Sequence, residues 1–246
     1  MTGASTGRRG LLVAGAGLAG LAVGRAPALL GRGQDEEAAP RAPSPGEELM
    51  TEHGVLKRVL LAYRAASARL GDGRALPAGV VIDAAQIVAD YVEGFHEGLE
   101  EAYVFPRVAA HAAYVDVVET LLVQHDRGRH LTAEILQLAA RDIGGTQVRG
   151  ALRTRLDAFV TMYEPHEAWE DTVIYPALRA LTTQATLDEL AERFADLESG
   201  YSDLALARIL DRVAGVEEQL GIHDLASFTP PPSLTSEPGA RQKGSR

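Results

Sequence analysis

Residues 96–106 read His96-Glu97-Gly98-Leu99-Glu100-Glu101-Ala102-Tyr103-Val104-Phe105-Pro106, and residues 166–176 read His166-Glu167-Ala168-Trp169-Glu170-Asp171-Thr172-Val173-Ile174-Tyr175-Pro176. Both are His-x3-Glu-x4-[Phe/Tyr]-Pro, offset by 70 residues. Upstream of each lies one further histidine on an apolar stripe, His53 and His125, offset by 72 residues. The chain therefore reads as two copies of one unit: a segment with a single His, then a segment with His-x3-Glu. Residues four apart on a helix share a face, one turn up, so His96 and Glu100 can reach the same point, as can His166 and Glu170. Four imidazoles and two carboxylates buried together are costly unless something neutralises them, and a metal does so.

The flanking periodicity makes these segments helices. Leu49, Met50, His53, Leu56, Val59, Leu60 and Tyr63 follow the i, i+3, i+4, i+7 rule from Glu47 onward, up to Gly71-Asp72-Gly73. The spacing predicts a second helix from about Val81 to Tyr103, stopped at Phe105-Pro106 because proline restricts the residue before it. A third is expected from about Tyr114 to Ala140, and a fourth from about Val148 to Ile174, stopped at Tyr175-Pro176. Two more come after it, near 186–198 and 202–219. No segment shows sustained strand alternation. Long helices with short connections imply an all-α, up-down four-helix bundle over 47–182, with two additional C-terminal helices outside it or capping one end. Residues 183–228 then form a helical extension, and 229–246, from Thr229-Pro230 onward, a tail.

The N-terminus is a different kind of sequence. Arg8-Arg9 precede an uncharged run, Gly10 to Gly24, and Ala26-Pro27-Ala28 offers a small-x-small cleavage pattern. The run suits a signal region and is too short for an ordinary membrane span. The arginine pair resembles a twin-arginine export signal over residues 1–28, which implies a periplasmic or envelope location; the alternative is a cytoplasmic protein. Gly15-Ala16-Gly17-Leu18-Ala19-Gly20 matches G-x-G-x-x-G, but that fingerprint needs a strand before it and a βαβ unit around it. Pro27 stands where its helix would continue, so no dinucleotide site is read in this stretch. Residues 31–46 are Gly, Pro, Ala and charge with almost nothing apolar, so 29–46 reads as a flexible linker.

Composition narrows the chemistry. The 246 residues carry a formal net charge of −10 and no Lys/Arg-rich cluster in the body, which argues against nucleic acid and anionic lipid as partners. After signal cleavage nothing remains to insert stably in a membrane. There is no cysteine, so disulfides, thiolate metal sites and cysteine nucleophiles are excluded. Any metal must be held by His, Asp or Glu. Two equivalent sets of two His and one Glu fit two ions, and iron, or iron with manganese, suits such a mixed nitrogen/oxygen site. Of the seven histidines, three read as non-ligands. His130 turns about 140° away from His125, His111 lies in a connector, and His223 lies beyond the last helix. Glu97 sits on the flank of the site. Glu101, Glu167 and Asp171 read as solvated, and Trp169 as core. Tyr63, Tyr103 and Tyr163 read as core or rim, with a place in the pocket as the alternative. Pro165 removes a backbone donor just before His166.

His53 in its Thr51-Glu52-His53 setting, the two His-x3-Glu segments with their [Phe/Tyr]-Pro, and His125-Asp126 between them resemble the hemerythrin HHE cation-binding family. The resemblance spans about Glu47 to Ala180. It implies a non-haem di-iron centre with His53, His96, Glu100, His125, His166 and Glu170 as ligands and the carboxylates bridging. Oxygen-carrying hemerythrins have a further His four residues after the third-helix ligand. Arg129 stands there, and a guanidinium is always protonated and is no ligand. The resemblance therefore points away from reversible oxygen carriage. It points toward HHE proteins that handle iron, respond to O2 or NO, or repair iron centres. The expected partner is a small diatomic ligand, O2 or NO, or iron itself. A di-iron oxidoreductase turning over peroxide or NO is the alternative, and a metal-free structural bundle is the third reading.

Overall fold

The computed structural model describes residues 42–200 and 205–231. The expected export signal, all but the end of the expected linker and most of the C-terminal tail lie outside the described residues. Within them every element is helical.

Helix α1 is Pro45–Gly71. Ser44 is its N-cap, and Ser44 and Glu47 form a capping box in which the Glu47 carboxylate accepts the Ser44 N–H at 2.7 Å. The helix ends at Asp72, followed by Gly73 at φ 68°, a left-handed conformation that glycine adopts without steric cost. Its last carbonyls do not face water alone. The Arg149 guanidinium donates to the carbonyls of Arg69 and Leu70 at 3.1 Å and of Arg74 at 3.0 Å, a cation at a helix C-terminus.

Helix α2 covers 78–108 and α4 covers 146–181, and neither stops where its proline predicts. In α2, the turn Glu100–Val104 is π-helical, and Phe105–Val108 resumes as α-helix. In α4, Glu170–Ile174 is π-helical and Tyr175–Leu181 resumes as α-helix. Phe105 and Tyr175 keep helical backbone angles and donate their N–H groups back to the carbonyls of Glu100 and Glu170. The wide i→i+5 turn places each proline in the first turn of a fresh α-helix, where no N–H is needed. That is why the helices run on. A longer π-helical stretch, Val88–His96, also precedes the first His-x3-Glu. Helix α3 is Val115–Ala139.

α1 neighbours α2 and α4, and α3 neighbours both as well, which closes the four-helix ring. The chain is thus all-α, a helical bundle with no strand among the described residues. The core is filled by Leu49, Leu56 and Val59 of α1, Ile87 and Val88 of α2, Ile135 of α3, and Leu152, Leu156 and Phe159 of α4, each at most 2% exposed. Full burial of such a side chain contributes about 1.5–3 kcal/mol. Two helices come next, α5, Gln184–Gly200, and α6, Leu206–Leu220. As expected, α6 lies outside the ring. It packs across α1 and α2 with Ile209, Val213, Val216 and Leu220, and Arg58 holds Glu217 through two hydrogen bonds of 2.8 and 2.7 Å. No described helix is long and apolar enough to cross a membrane.

Candidate metal centre

The bundle brings all six expected residues to one place. His53 (α1), His96 and Glu100 (α2), His125 (α3), and His166 and Glu170 (α4) are each at most 3% exposed. They form two clusters, His53/His96/Glu100 and His125/His166/Glu170, in which one donor atom per residue lies within 4.8 Å of the others. The clusters interlock through the carboxylates. Glu170 Oε1 lies 3.1 Å from His166 Nε2 and 3.8 Å from His125 Nε2, while its Oε2 lies 3.3 Å from His53 Nε2. Glu100 Oε2 lies 3.6 Å from His96 Nε2 and 3.5 Å from His125 Nε2. Each carboxylate thus faces histidines of both clusters.

The outward nitrogens are all engaged. His53 Nδ1 bonds Asp171 at 2.8 Å, His96 Nδ1 bonds Glu52 at 2.7 Å, His125 Nδ1 bonds Glu101 at 2.9 Å, and His166 Nδ1 bonds Gln124 Oε1 at 2.9 Å. A carboxylate or amide oxygen only accepts, so each Nδ1 carries the hydrogen, which leaves a neutral imidazole with its Nε2 lone pair turned inward. Two of those lone pairs, of His125 and His166, face each other at 3.2 Å. Two donors at about 2.1 Å from one ion, at right angles, stand roughly 3 Å apart. Glu100 Oε2 and both Glu170 oxygens are buried without a hydrogen-bond partner. Opposed lone pairs and orphaned carboxylate oxygens around one centre fit a cation and little else.

The electrostatics agree. Burial, reinforced by the neighbouring Glu170 carboxylate, pushes Glu100 well above the usual carboxylate range. At Glu170 burial acts the same way, but His166 and His53 outweigh it and hold the group below that range. Burial alone would lower His53, yet Asp171 and Glu170 bring it up to about 9. Burial lowers His96 and His125. The side chains by themselves therefore accommodate one ionised carboxylate more readily than two, and a bound cation would let both ionise.

Several residues differ from the sequence expectation. Glu101 and Asp171, read as solvated, are the partners of His125 and His53. Glu167, also read as solvated, is buried and paired with Lys57 Nζ at 2.6 Å. Glu52 and Gln124 complete the outer set. The repeat carried the signal: an acid follows both Glu100 and Glu170, and a carboxyl or amide residue precedes both His53 and His125. Tyr63 and Phe159 pack edge to face in the core, and Tyr103 packs against Phe194 of α5. The tyrosine inside the centre is Tyr175, whose hydroxyl donates to Glu100 Oε1 at 2.7 Å and lies 3.2 Å from His53 Nε2. Trp169 is 53% exposed rather than core, because the helix turns it away from the ring. Glu97 is buried on the flank. It accepts from Tyr163 Oη at 2.7 Å and from Arg129 at 2.8 Å, and burial pushes it up to about 8. Arg129 spans Glu97 and Glu101 and supplies no ligand. His111, His130 and His223 are exposed and outside both clusters.

The family model described as the hemerythrin HHE cation binding domain matches residues 44–154 and again 117–225. The chain belongs to this family. The two matches are offset by about the spacing of the internal repeat, so each copy of this HHE protein satisfies the same pattern. It is similar to uncharacterized proteins of Mycobacterium bovis and Mycobacterium tuberculosis, each 38% identical over 238 residues, covering 92% of this chain and 92% of the relative. No solved structure matches it. As an HHE protein it is a helical bundle whose His/Glu clusters can hold metal.

Proposed function

We propose that this HHE protein is a non-haem di-iron protein that binds or senses O2 or NO, or handles iron, with His53, His96, Glu100, His125, His166 and Glu170 as ligands. The observation that carries the proposal is the inward convergence of four Nε2 atoms and two carboxylates whose inward oxygens have no hydrogen-bond partner. Iron bound there supplies a redox-active Lewis-acid centre suited to a diatomic ligand. The protein's share is to fix four imidazole tautomers through Asp171, Glu52, Glu101 and Gln124, to keep the centre buried, and to offer no further ligand at Arg129, which is tied to Glu97 and Glu101. Metal analysis of protein from iron-replete cells should give two iron ions per chain. An optical and Mössbauer signature of a coupled diferric pair should change on addition of O2 or NO to the reduced form. Absence of iron, or spectra indifferent to both gases, overturns the proposal.

A second reading is a di-iron oxidoreductase turning over peroxide or NO, or repairing iron centres. It is favoured by the Tyr175 hydroxyl, a proton source held inside the centre. Multiple turnovers with a reductant support it, and single-turnover behaviour removes it. Export is part of the proposal on the strength of Arg8-Arg9 and the uncharged run behind them. Arg8→Lys with Arg9→Lys should leave the protein in the cytoplasm.

A further inference from the structure

The outer partners of the four histidines are not alike. In the His53/His96/Glu100 cluster both imidazoles donate to carboxylates, Asp171 and Glu52. In the His125/His166/Glu170 cluster, His125 donates to Glu101, but that carboxylate is shared with the Arg129 guanidinium at 2.5 Å. His166 donates to the neutral amide of Gln124. Glu52 and Gln124 occupy the same place in the two copies, each just before the single histidine. A carboxylate behind an imidazole raises its basicity as a ligand, and loss of such a partner typically weakens metal binding about 10–100-fold. The neutral amide and the guanidinium-shared acid leave the second cluster the weaker donor set.

Access differs in the same sense. A surface pocket of about 360 Å³, lined by Thr120, Leu121, Gln124, Pro165, His166 and Trp169, reaches His166 itself, whereas the pocket of about 250 Å³ beside Glu52 is lined by Tyr91 and Phe95 and does not reach His96. On the other side, His53 is covered by Tyr175, whose ring stacks on it at 5.5 Å and whose hydroxyl is tied to Glu100. The matching residue over His125 is Phe105, at 5.4 Å, without a hydroxyl.

We propose that the two clusters hold their ions unequally: His53/His96/Glu100 is the retaining position, His125/His166/Glu170 is the exchangeable one, and Glu52 and Gln124 are the positioning residues that set the difference. The inference rests on the proposal that the centre takes two ions. It gives the centre one ion that anchors and one that is released when the His166 ring swings out toward the Gln124–Trp169 pocket.

The test uses the full chain loaded anaerobically with two equivalents of Fe(II) and then mixed with a chromogenic ferrous chelator. Wild type should release iron in two phases of equal amplitude, at least about ten-fold apart in rate. Glu52→Gln should speed the slow phase and leave the fast one unchanged. Gln124→Glu should slow the fast phase and leave the slow one unchanged. Because Gln124→Glu is expected to tighten binding, it tests the idea even if Glu52→Gln folds poorly. A single release phase from wild type overturns the inference while leaving the two-ion centre intact. So does Glu52→Gln acting on the fast phase, or Gln124→Glu leaving it unmoved. Protein that loads fewer than two ions overturns the two-ion centre and this inference with it.

Discussion

The two copies of the helix pair are built to one plan and finished differently. Both carry a helix through a wide turn and a proline, both bury a His and a Glu four apart, and both hold each imidazole from behind. In the first copy Glu100 is fixed by a phenol from the second. In the second copy its counterpart, Glu170, has no such phenol and faces the imidazoles of His53, His125 and His166. Around the ring the first copy's helix α1 fills its core position with Leu56, whereas the equivalent position in α3 is Gly128, over which the Tyr163 hydroxyl passes to reach Glu97. Duplication explains the frame. The departures from symmetry are where the specific chemistry sits.

The sharpest way to break the comparison is to neutralise each glutamate in turn. Glu170 faces His53 with one oxygen and His125 and His166 with the other, so Glu170→Gln should lose both ions, an effect beyond the roughly 10–100-fold of an outer partner. Glu100→Gln keeps its bond to Tyr175 and should retain at least one. Metal content of the purified variants decides, and equal loss from both would erase the asymmetry.

Packing comes next. A Cβ on Gly128 would collide with the Tyr163 hydroxyl and stand under 3.0 Å from its ring, and Tyr163 is held by Phe159 and Glu97. Gly128→Ala should cost about 1–3 kcal/mol. Gly54 in α1 has nothing within 4 Å of an added Cβ. Gly54→Ala should therefore stabilise by roughly 0.5–1 kcal/mol through helix propensity. Thermal melts of the two variants should move in opposite directions.

A smaller contrast concerns the flanking ion pairs. Arg129 braces two carboxylates, one of them fully buried, and Lys57 braces one from a half-exposed position. Arg129→Ala should cost about 1–3 kcal/mol because it loosens two carboxylates at once and leaves buried Glu97 with the Tyr163 hydroxyl alone, and Lys57→Ala, which frees one carboxylate, less. Denaturant midpoints would show it.

The smallest effect is in pH. Burial, with Glu52 and Glu198 adding like charge, raises Glu48 from 4.5 to about 7. The folded-state value exceeds the unfolded one, so the protonated group costs nothing below about pH 4.5. The penalty then grows as pH rises and is complete above about 7. Relative to wild type, Glu48→Gln should gain stability across that window and stay level below it.

The fold and the six central residues were legible because helical period and repeat spacing are local properties of the chain. What was not legible depends on three-dimensional neighbours. Phe105-Pro106 and Tyr175-Pro176 look like helix stops in isolation, since nothing in the sequence announces that a π-turn precedes each proline. Glu101 and Asp171 look solvated on their own helices and become partners only when α3 and α1 come alongside. Tyr175 enters the centre because the helix runs through the proline, so the misread boundary and the missed tyrosine have one cause. Trp169 sits beside Glu170 in sequence but about 100° of helix rotation away from it in space.

The guanidinium of Arg149 that closes the end of α1 lies at the start of α4, about 25 Å of helix from His166. The first and last staves of the ring are thus tied at one rim by an organic cation and, if iron fills the centre, at mid-barrel by inorganic ones. Stripping the iron should then unzip the molecule from one direction only. Deuterium uptake should rise around 96–104 and 166–174 and stay slow at 69–74, so that the emptied chain keeps a fastened hem from which the ring can close again.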